Sequence, residues 1–296
     1  MPSSNGLVHL ARVSVAIAVA ACALPAASAG GTAAPAPAAA PAFPAPETGQ
    51  ADPLVSAMAA PMPGETCEPL IPCTDPIGCP DLAVDRRIML LRSVETRTFD
   101  ATTCAVQEGL IQAGTRRLLR FGTLTPNVGE GGIFIGAPED HPQWFEFNTC
   151  HGHAHFGEYA DYRLWTIPAY LRWLAARAAH PDVCPRKLFA EHPELMIGLA
   201  RGHKQGFCLL DSFPSSSLGC AGVQATGPIF TDCDDQGLSR CWADYYRPGL
   251  DGQWIDVTGL PGGTYVFETE VNPARRFSET RYDNNAAAVL ISLPPS

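Results

Sequence analysis

The chain has 296 residues, of which 17% are charged, with 27 glycines, 28 prolines and a formal net charge of −10. So few charges and so many turn-forming residues exclude a protein built of long surface helices and favour short strands. An acidic chain without a basic stripe excludes a phosphate-backbone partner and suits a cationic one.

The first segment has the pattern of an export signal. Arg12 precedes an apolar run from Val13 to Ala23, and Ala27-Ser28-Ala29 supplies small residues for cleavage. That run is too short to span a bilayer. A competing pattern, Val19-Ala20-Ala21-Cys22, resembles a bacterial lipobox in which Cys22 is lipidated and retained as an anchor. Residues 1–29 are therefore assigned to a signal peptide. Residues 30–66, rich in Ala and Pro, form an extended linker that cannot bury a core. Residues 67–296 form the folded domain. Its ten cysteines, at 67, 73, 79, 104, 150, 184, 208, 220, 233 and 241, are an even set in an exported chain and predict a disulfide framework. They lack the paired spacing of a zinc ribbon.

Within the domain, Arg116 to Phe121 and Trp144 to Phe147 are predicted strands bounded by turn residues. Ile167 to Arg177 has Pro168 in its first turn and strong helix formers after it, which predicts a helix. Thr264 to Val271 sets Tyr265, Phe267 and Val271 on one face and two glutamates on the other, the pattern of a half-buried strand. Ala286 to Leu293 is its expected hairpin partner. The elements together predict a mainly β fold, a β-sandwich core with long disulfide-tied loops and few short helices.

Chemistry concentrates at Cys150-His151-Gly152-His153-Ala154-His155. On a strand, the period of two places His151, His153 and His155 on one face, about 6 to 7 Å apart along the backbone, close enough to converge on one ion. Imidazoles suit copper, zinc, iron or nickel, so the spacing leaves the metal open. The HxHxDH pattern of metallo-β-lactamase-type hydrolases is absent, because Phe156-Gly157-Glu158 follows His155, and amidohydrolase barrels need repeated βα units that this chain lacks. A mononuclear zinc hydrolase on the three histidines remains open, with Glu158 the one nearby base.

The run from Phe145 to His155 resembles the copper-binding stretch of lysyl oxidases. Further matching blocks follow the same order along the chain: Cys79-Pro80-Asp81-Leu82, Leu118-Leu119-Arg120-Phe121, Gly202-His203-Lys204-Gln205-Gly206-Phe207-Cys208, Gln253-Trp254-Ile255-Asp256, Val271-Asn272-Pro273 and Asn284-Asn285. The resemblance covers roughly Cys79 to Leu290. It implies that His151, His153 and His155 hold one copper. It also implies that Lys204 and a tyrosine join as lysine tyrosylquinone, the cofactor. The Asp-x-Tyr unit Asp244-Tyr245-Tyr246, seven residues before Gln253, points to Tyr246; counting from Cys241 points to Tyr245, and Tyr246 is preferred because two features agree on it.

The implied activity is oxidative deamination of primary amines, such as peptidyl lysine or small amines, to aldehydes, with O2 consumed and ammonia and hydrogen peroxide released. Other readings of the residues are a secreted copper-binding module without a quinone and the zinc hydrolase. Asp161, Asp244 and Asp256 are candidate bases by residue type.

The resemblance further implies the pairs Cys104 with Cys150, Cys208 with Cys233, and Cys220 with Cys241, leaving Cys67, Cys73, Cys79 and Cys184 in an undetermined pairing. Where the family has one further disulfide, this chain has Leu110 and Gly252. Asn148 replaces a histidine of animal members. An insertion from about Ala169 to Leu195 separates the copper run from Lys204, either roofing the site or decorating the fold.

Overall fold

The computed structural model describes residues 67, 69–150, 152–204, 206–215, 220 and 226–295. The signal segment with Cys22, the linker and His151 lie outside the described residues. No helix among the described residues is long and apolar enough to cross a membrane.

The fold is mainly β. Its strands in chain order are β1 (Arg92–Phe99), β2 (Gly114–Phe121), β3 (Thr123–Pro126), β4 (Ile133–Gly136), β5 (Phe145–Asn148), β6 (His153–Phe156), β7 (Ala160–Trp165), β8 (Leu199–Arg201), β9 (Phe213–Pro214), β10 (Gln236–Leu238), β11 (Trp242–Tyr246), β12 (Trp254–Asp256), β13 (Gly263–Val271) and β14 (Ala286–Leu293). The helices are α1 (Cys104–Gln107), α2 (Ile167–Ala179) and α3 (Pro185–Glu191).

Two sheets carry the core. One has the order β14-β13-β7-β8 and the other β1-β2-β12, all neighbours antiparallel. Leu119 and Phe121 from β2 and Ile255 from β12 share one apolar cluster with Tyr162 and Leu164 from β7, Tyr265 and Phe267 from β13, and Val289 and Ile291 from β14. Phe121 is the junction, its ring centroid 4.7 Å from Tyr162 and 4.6 Å from Phe267. Smaller sheets, β3-β11-β9, β4-β10 and β5-β6, attach around this core.

The predicted helix forms as α2. Thr166 caps its N-terminus by accepting from the Ala169 N–H, and Pro168 sits in the first turn. The predicted hairpin also forms, with Gly263 opposite Leu293 and Glu270 opposite Ala286. The half-buried reading of its first strand is corrected: Glu268 is 4% exposed and Glu270 is 2% exposed, so both faces of β13 are covered. β13 is an interior strand between β14 and β7, and the insertion supplies the missing cover. Trp165, Trp173, Leu188 and Phe189 form a second cluster with Val266 of β13. Within it Trp173 and Phe189 stack at 4.4 Å between centroids, an arrangement worth about 0.5–1.5 kcal/mol beyond its buried area.

The glutamates survive burial because Arg163 lies between them. Its Nη1 donates to Glu268 Oε2 at 3.0 Å and Glu270 Oε2 at 2.6 Å, while Nε and Nη2 donate to Asp161 Oδ2 at 3.0 and 2.9 Å. Arg177 from α2 reaches Glu270 Oε1 at 2.8 Å, and the indoles of Trp165 and Trp173 donate to Glu268. The insertion is thus the outer wall of an ionic core, which a polar strand face alone does not announce.

The three disulfides implied by resemblance are present, Cys104–Cys150, Cys208–Cys233 and Cys220–Cys241. The remaining four cysteines pair as Cys67–Cys184 and Cys73–Cys79. Cys67–Cys184 ties the start of the domain to the first residue before α3, where the insertion folds back.

Candidate active site

Three segments meet beside β6. The strand itself begins only at His153, because Gly152 has φ +74° and its N–H returns to the Asn148 carbonyl at 2.8 Å in a tight turn. Of the three histidines expected on one strand face, His153 and His155 are the two that lie among the described residues. His153 and His155 point the same way, with Nε2 atoms 2.9 Å apart. Metal bonds to imidazole nitrogen are about 2.0–2.1 Å long. Two such bonds at a right angle place the nitrogens about 2.9 Å apart, a geometry that tetragonal copper favours. The donor pair therefore fits a copper ion. The sulfurs of Cys208 and Cys233 also lie near His153, but they are joined in a disulfide and offer no thiolate.

The second segment is the loop holding Lys204. Phe156 and Phe207 exchange backbone hydrogen bonds at 2.8 and 3.1 Å, which docks this loop on the end of β6. Gly206 permits the approach: a Cβ there would lie 3.2 Å from His155 Cβ and 3.3 Å from the Phe156 carbonyl oxygen. Gly202, at the other end, packs against Tyr162 and the Trp254 carbonyl in the same way. Gln236, fully buried, donates to the Ala154 carbonyl at 2.9 Å and accepts from the Leu209 N–H at 3.3 Å, clamping strand to loop.

The third segment is β11. Its pleat sends Asp244 and Tyr246 to one side and Tyr245 to the other. The Tyr246 hydroxyl donates to the Cys208 carbonyl at 2.5 Å, and its ring meets Phe207 edge-on at 4.4 Å. The Lys204 Nζ lies 5.3 Å from the centroid of the same Phe207 ring. Lys204 and Tyr246 therefore both approach one phenylalanine ring, while the Tyr245 backbone N–H donates to Ser212 Oγ at 2.7 Å.

Electrostatics differ among these groups. Burial lowers the pKa of the Lys204 amine, opposed by the charges of Glu108, Asp251 and Asp244. Burial raises the Tyr246 phenol well above its usual value, and Asp244 pushes it the same way. Burial also raises the Asp244 carboxyl well above the carboxylate range, and its Oδ2 has no hydrogen-bond partner. Asp244 is thus the one candidate base held beside the tyrosine. Asp161 is committed to Arg163 and to Arg201, whose Nη2 lies at 2.5 Å; these guanidiniums outweigh its burial and hold its carboxyl well below the usual range. Asp256 accepts from the Thr258 N–H at 2.9 Å at the end of β12, a structural role. Glu158, the base that a zinc hydrolase would need, is paired with Arg186 and Arg276.

Glu108 and Gln236 escape sequence reasoning. Glu108 is 43 residues or more from any histidine of the run, and the Cys104–Cys150 disulfide carries it to the site.

A sequence model of the family described as Lysyl oxidase matches residues 193–294, which include Lys204 and Tyr246. Lysyl oxidase homolog 2 of Homo sapiens is 27% identical over 218 residues, 70% of this chain and 23% of that protein. Lysyl oxidase homolog 4 of Bos taurus is 26% identical over 227 residues, 73% of this chain and 25% of its own length. The chain thus aligns with about a quarter of the length of these relatives. With its ordered sequence blocks and its disulfides, the chain is thus similar to the lysyl oxidase family, whose model it matches over residues 193–294.

Proposed function

We propose that the protein is a copper- and quinone-dependent amine oxidase that converts primary amines, O2 and water to aldehydes, ammonia and hydrogen peroxide. Its substrates are peptidyl lysine or small amines. In this reading His151, His153 and His155 hold the copper, and Lys204 joins Tyr246 in the quinone. The observation that carries it is the docking of the Lys204 loop on the histidine strand, with Lys204 and Tyr246 both against the Phe207 ring. When present, copper with O2 supplies the oxidising power, and the quinone serves as an electron sink.

The chain's own residues supply the rest. Half-burial of Lys204 favours its free amine, the form that bonds to an electrophilic ring carbon. The Cys208 carbonyl fixes the Tyr246 ring, and Phe207 keeps water from one side of it. Asp244 is the group placed to accept a substrate proton. Five disulfides suit an oxidising, extracytoplasmic compartment, in agreement with the export signal.

Peptide mass spectrometry of copper-loaded, aerobically incubated protein tests the reading. The expected result is a Lys204–Tyr246 cross-link at quinone-level oxidation. Stoichiometric copper with both peptides unmodified would overturn it in favour of a copper-binding module.

A further inference from the structure

The turn after α1 brings a carboxylate to the candidate site that no step of the proposed reaction uses. Glu108 closes α1, its N–H donating to the Cys104 carbonyl at 2.8 Å, and Cys104 is bonded to Cys150 at the head of the histidine run. Both oxygens of its side chain are buried, and neither has a hydrogen-bond partner. The same turn places Leu110 beside Gly252. A Cβ on Gly252 would lie 3.2 Å from Leu110 Cδ1 and 2.7 Å from Lys204 Cδ, so turn, glycine and lysine form one wall. Among the charges acting on the Lys204 amine, that of Glu108 is the largest. A carboxylate kept dry without a donor is costly, and folded proteins keep one where a cation or donor arrives during function.

We propose that Glu108 is a specificity-determining residue that receives the second positive charge of a dicationic amine, a diamine or polyamine. The inference rests on the amine oxidase reading. Lys204 is the nearby cation in the newly folded chain. Once its nitrogen is bonded to the oxidised tyrosine ring it is conjugated and no longer an ammonium, so the wall loses one positive charge. Asp251 is half-exposed and already paired with Arg97 at 3.2 Å. With Asp244 assigned as the proton acceptor, Glu108 is then the remaining buried carboxyl of this wall without a partner. The reacting amine must be neutral to attack a carbonyl carbon, so it cannot itself satisfy the carboxylate; an ammonium farther along the substrate can. A monoamine leaves Glu108 unpaired.

The test compares kcat/KM for an α,ω-diamine and for an n-alkylamine of equal length, in wild type, Glu108→Gln and Glu108→Asp. Cross-link content is measured in each by peptide mass spectrometry. The expected result is a diamine preference that falls about 10- to 100-fold in Glu108→Gln, the worth of one charge-assisted hydrogen bond in a dry site, and recovers in part in Glu108→Asp. The change should lie in KM, and a bis-quaternary alkylammonium should compete with diamine in wild type far better than tetramethylammonium does. Cross-linked, active protein with the same diamine preference in all three forms overturns the inference and leaves the amine oxidase reading intact. Wild type that forms no cross-link and oxidises neither amine overturns both.

Discussion

Arg163 and Lys204 are cations set among carboxylates in one domain, yet their surroundings differ in kind. Around Arg163, on β7 beneath α2, four of its donor contacts are met by Asp161, Glu268 and Glu270, and Arg177 and two indoles satisfy what remains of the glutamates. Around Lys204, the carboxyls of Glu108 and Asp244 keep buried oxygens with no partner, and the lysine packs on the face of Phe207. A closed ionic network holds structure, because removing one member exposes the cost of burying the others. An open one holds chemical potential, because its groups gain a partner only when a reactant or covalent change supplies it.

The largest expected effect comes from Lys204→Arg, which keeps the charge and removes the nucleophile. Peroxide release on amine addition should drop at least about a thousandfold, since no electron-sink cofactor forms, while thermal unfolding stays close to wild type. Activity within tenfold of wild type would show that the open region does not depend on the amine.

Arg163→Met attacks the closed region and should cost about 3–5 kcal/mol in denaturant unfolding, the usual consequence of leaving buried carboxylates unpaired. The sign with pH is defined. Burial already raises the Glu268 carboxyl despite Arg163, so without the arginine it takes up a proton on folding more readily. The variant should regain stability as pH falls through the carboxylate range. A loss under about 1 kcal/mol would mean that the network is not the structural element described.

Gly252→Ala probes the border between the regions. Gly252 has φ +78°, a conformation that costs an L residue about 1–3 kcal/mol, and the new Cβ would press on the Lys204 side chain. Cross-link yield should fall severalfold while the disulfides still form, both read by peptide mass spectrometry.

The smallest effect is in pH. Because burial lowers the Lys204 pKa, cross-link formation should rise with pH and level off below the ordinary lysine value of 10.5. Glu108→Gln should move that inflection to lower pH, since the Glu108 charge acts in the opposite direction. A shift upward would contradict the electrostatic account of the site.

Much of this molecule is legible in one dimension. The alternation in Thr264 to Val271, the capped start at Thr166-Ile167-Pro168 and the ordered motif blocks name strands, a helix and the candidate residues of the site, because periodicity, capping and family motifs are local properties. The even set of cysteines foretells a disulfide framework, and resemblance supplies three of its five pairs. Other features depend on which surfaces meet. Glu268 and Glu270 read as solvent-facing until α2 closes over them, since a polar face records chemistry and not cover. The strand carrying His153 and His155 begins only after a turn at Gly152, because one positive φ there interrupts the extended backbone. Glu108 becomes part of the site through a disulfide spanning 46 residues. Sequence alone determined the types of chemical group and the segments that carry them; tertiary structure decided which buried groups are paired and which are left open, because pairing is a property of distances between segments remote in the chain.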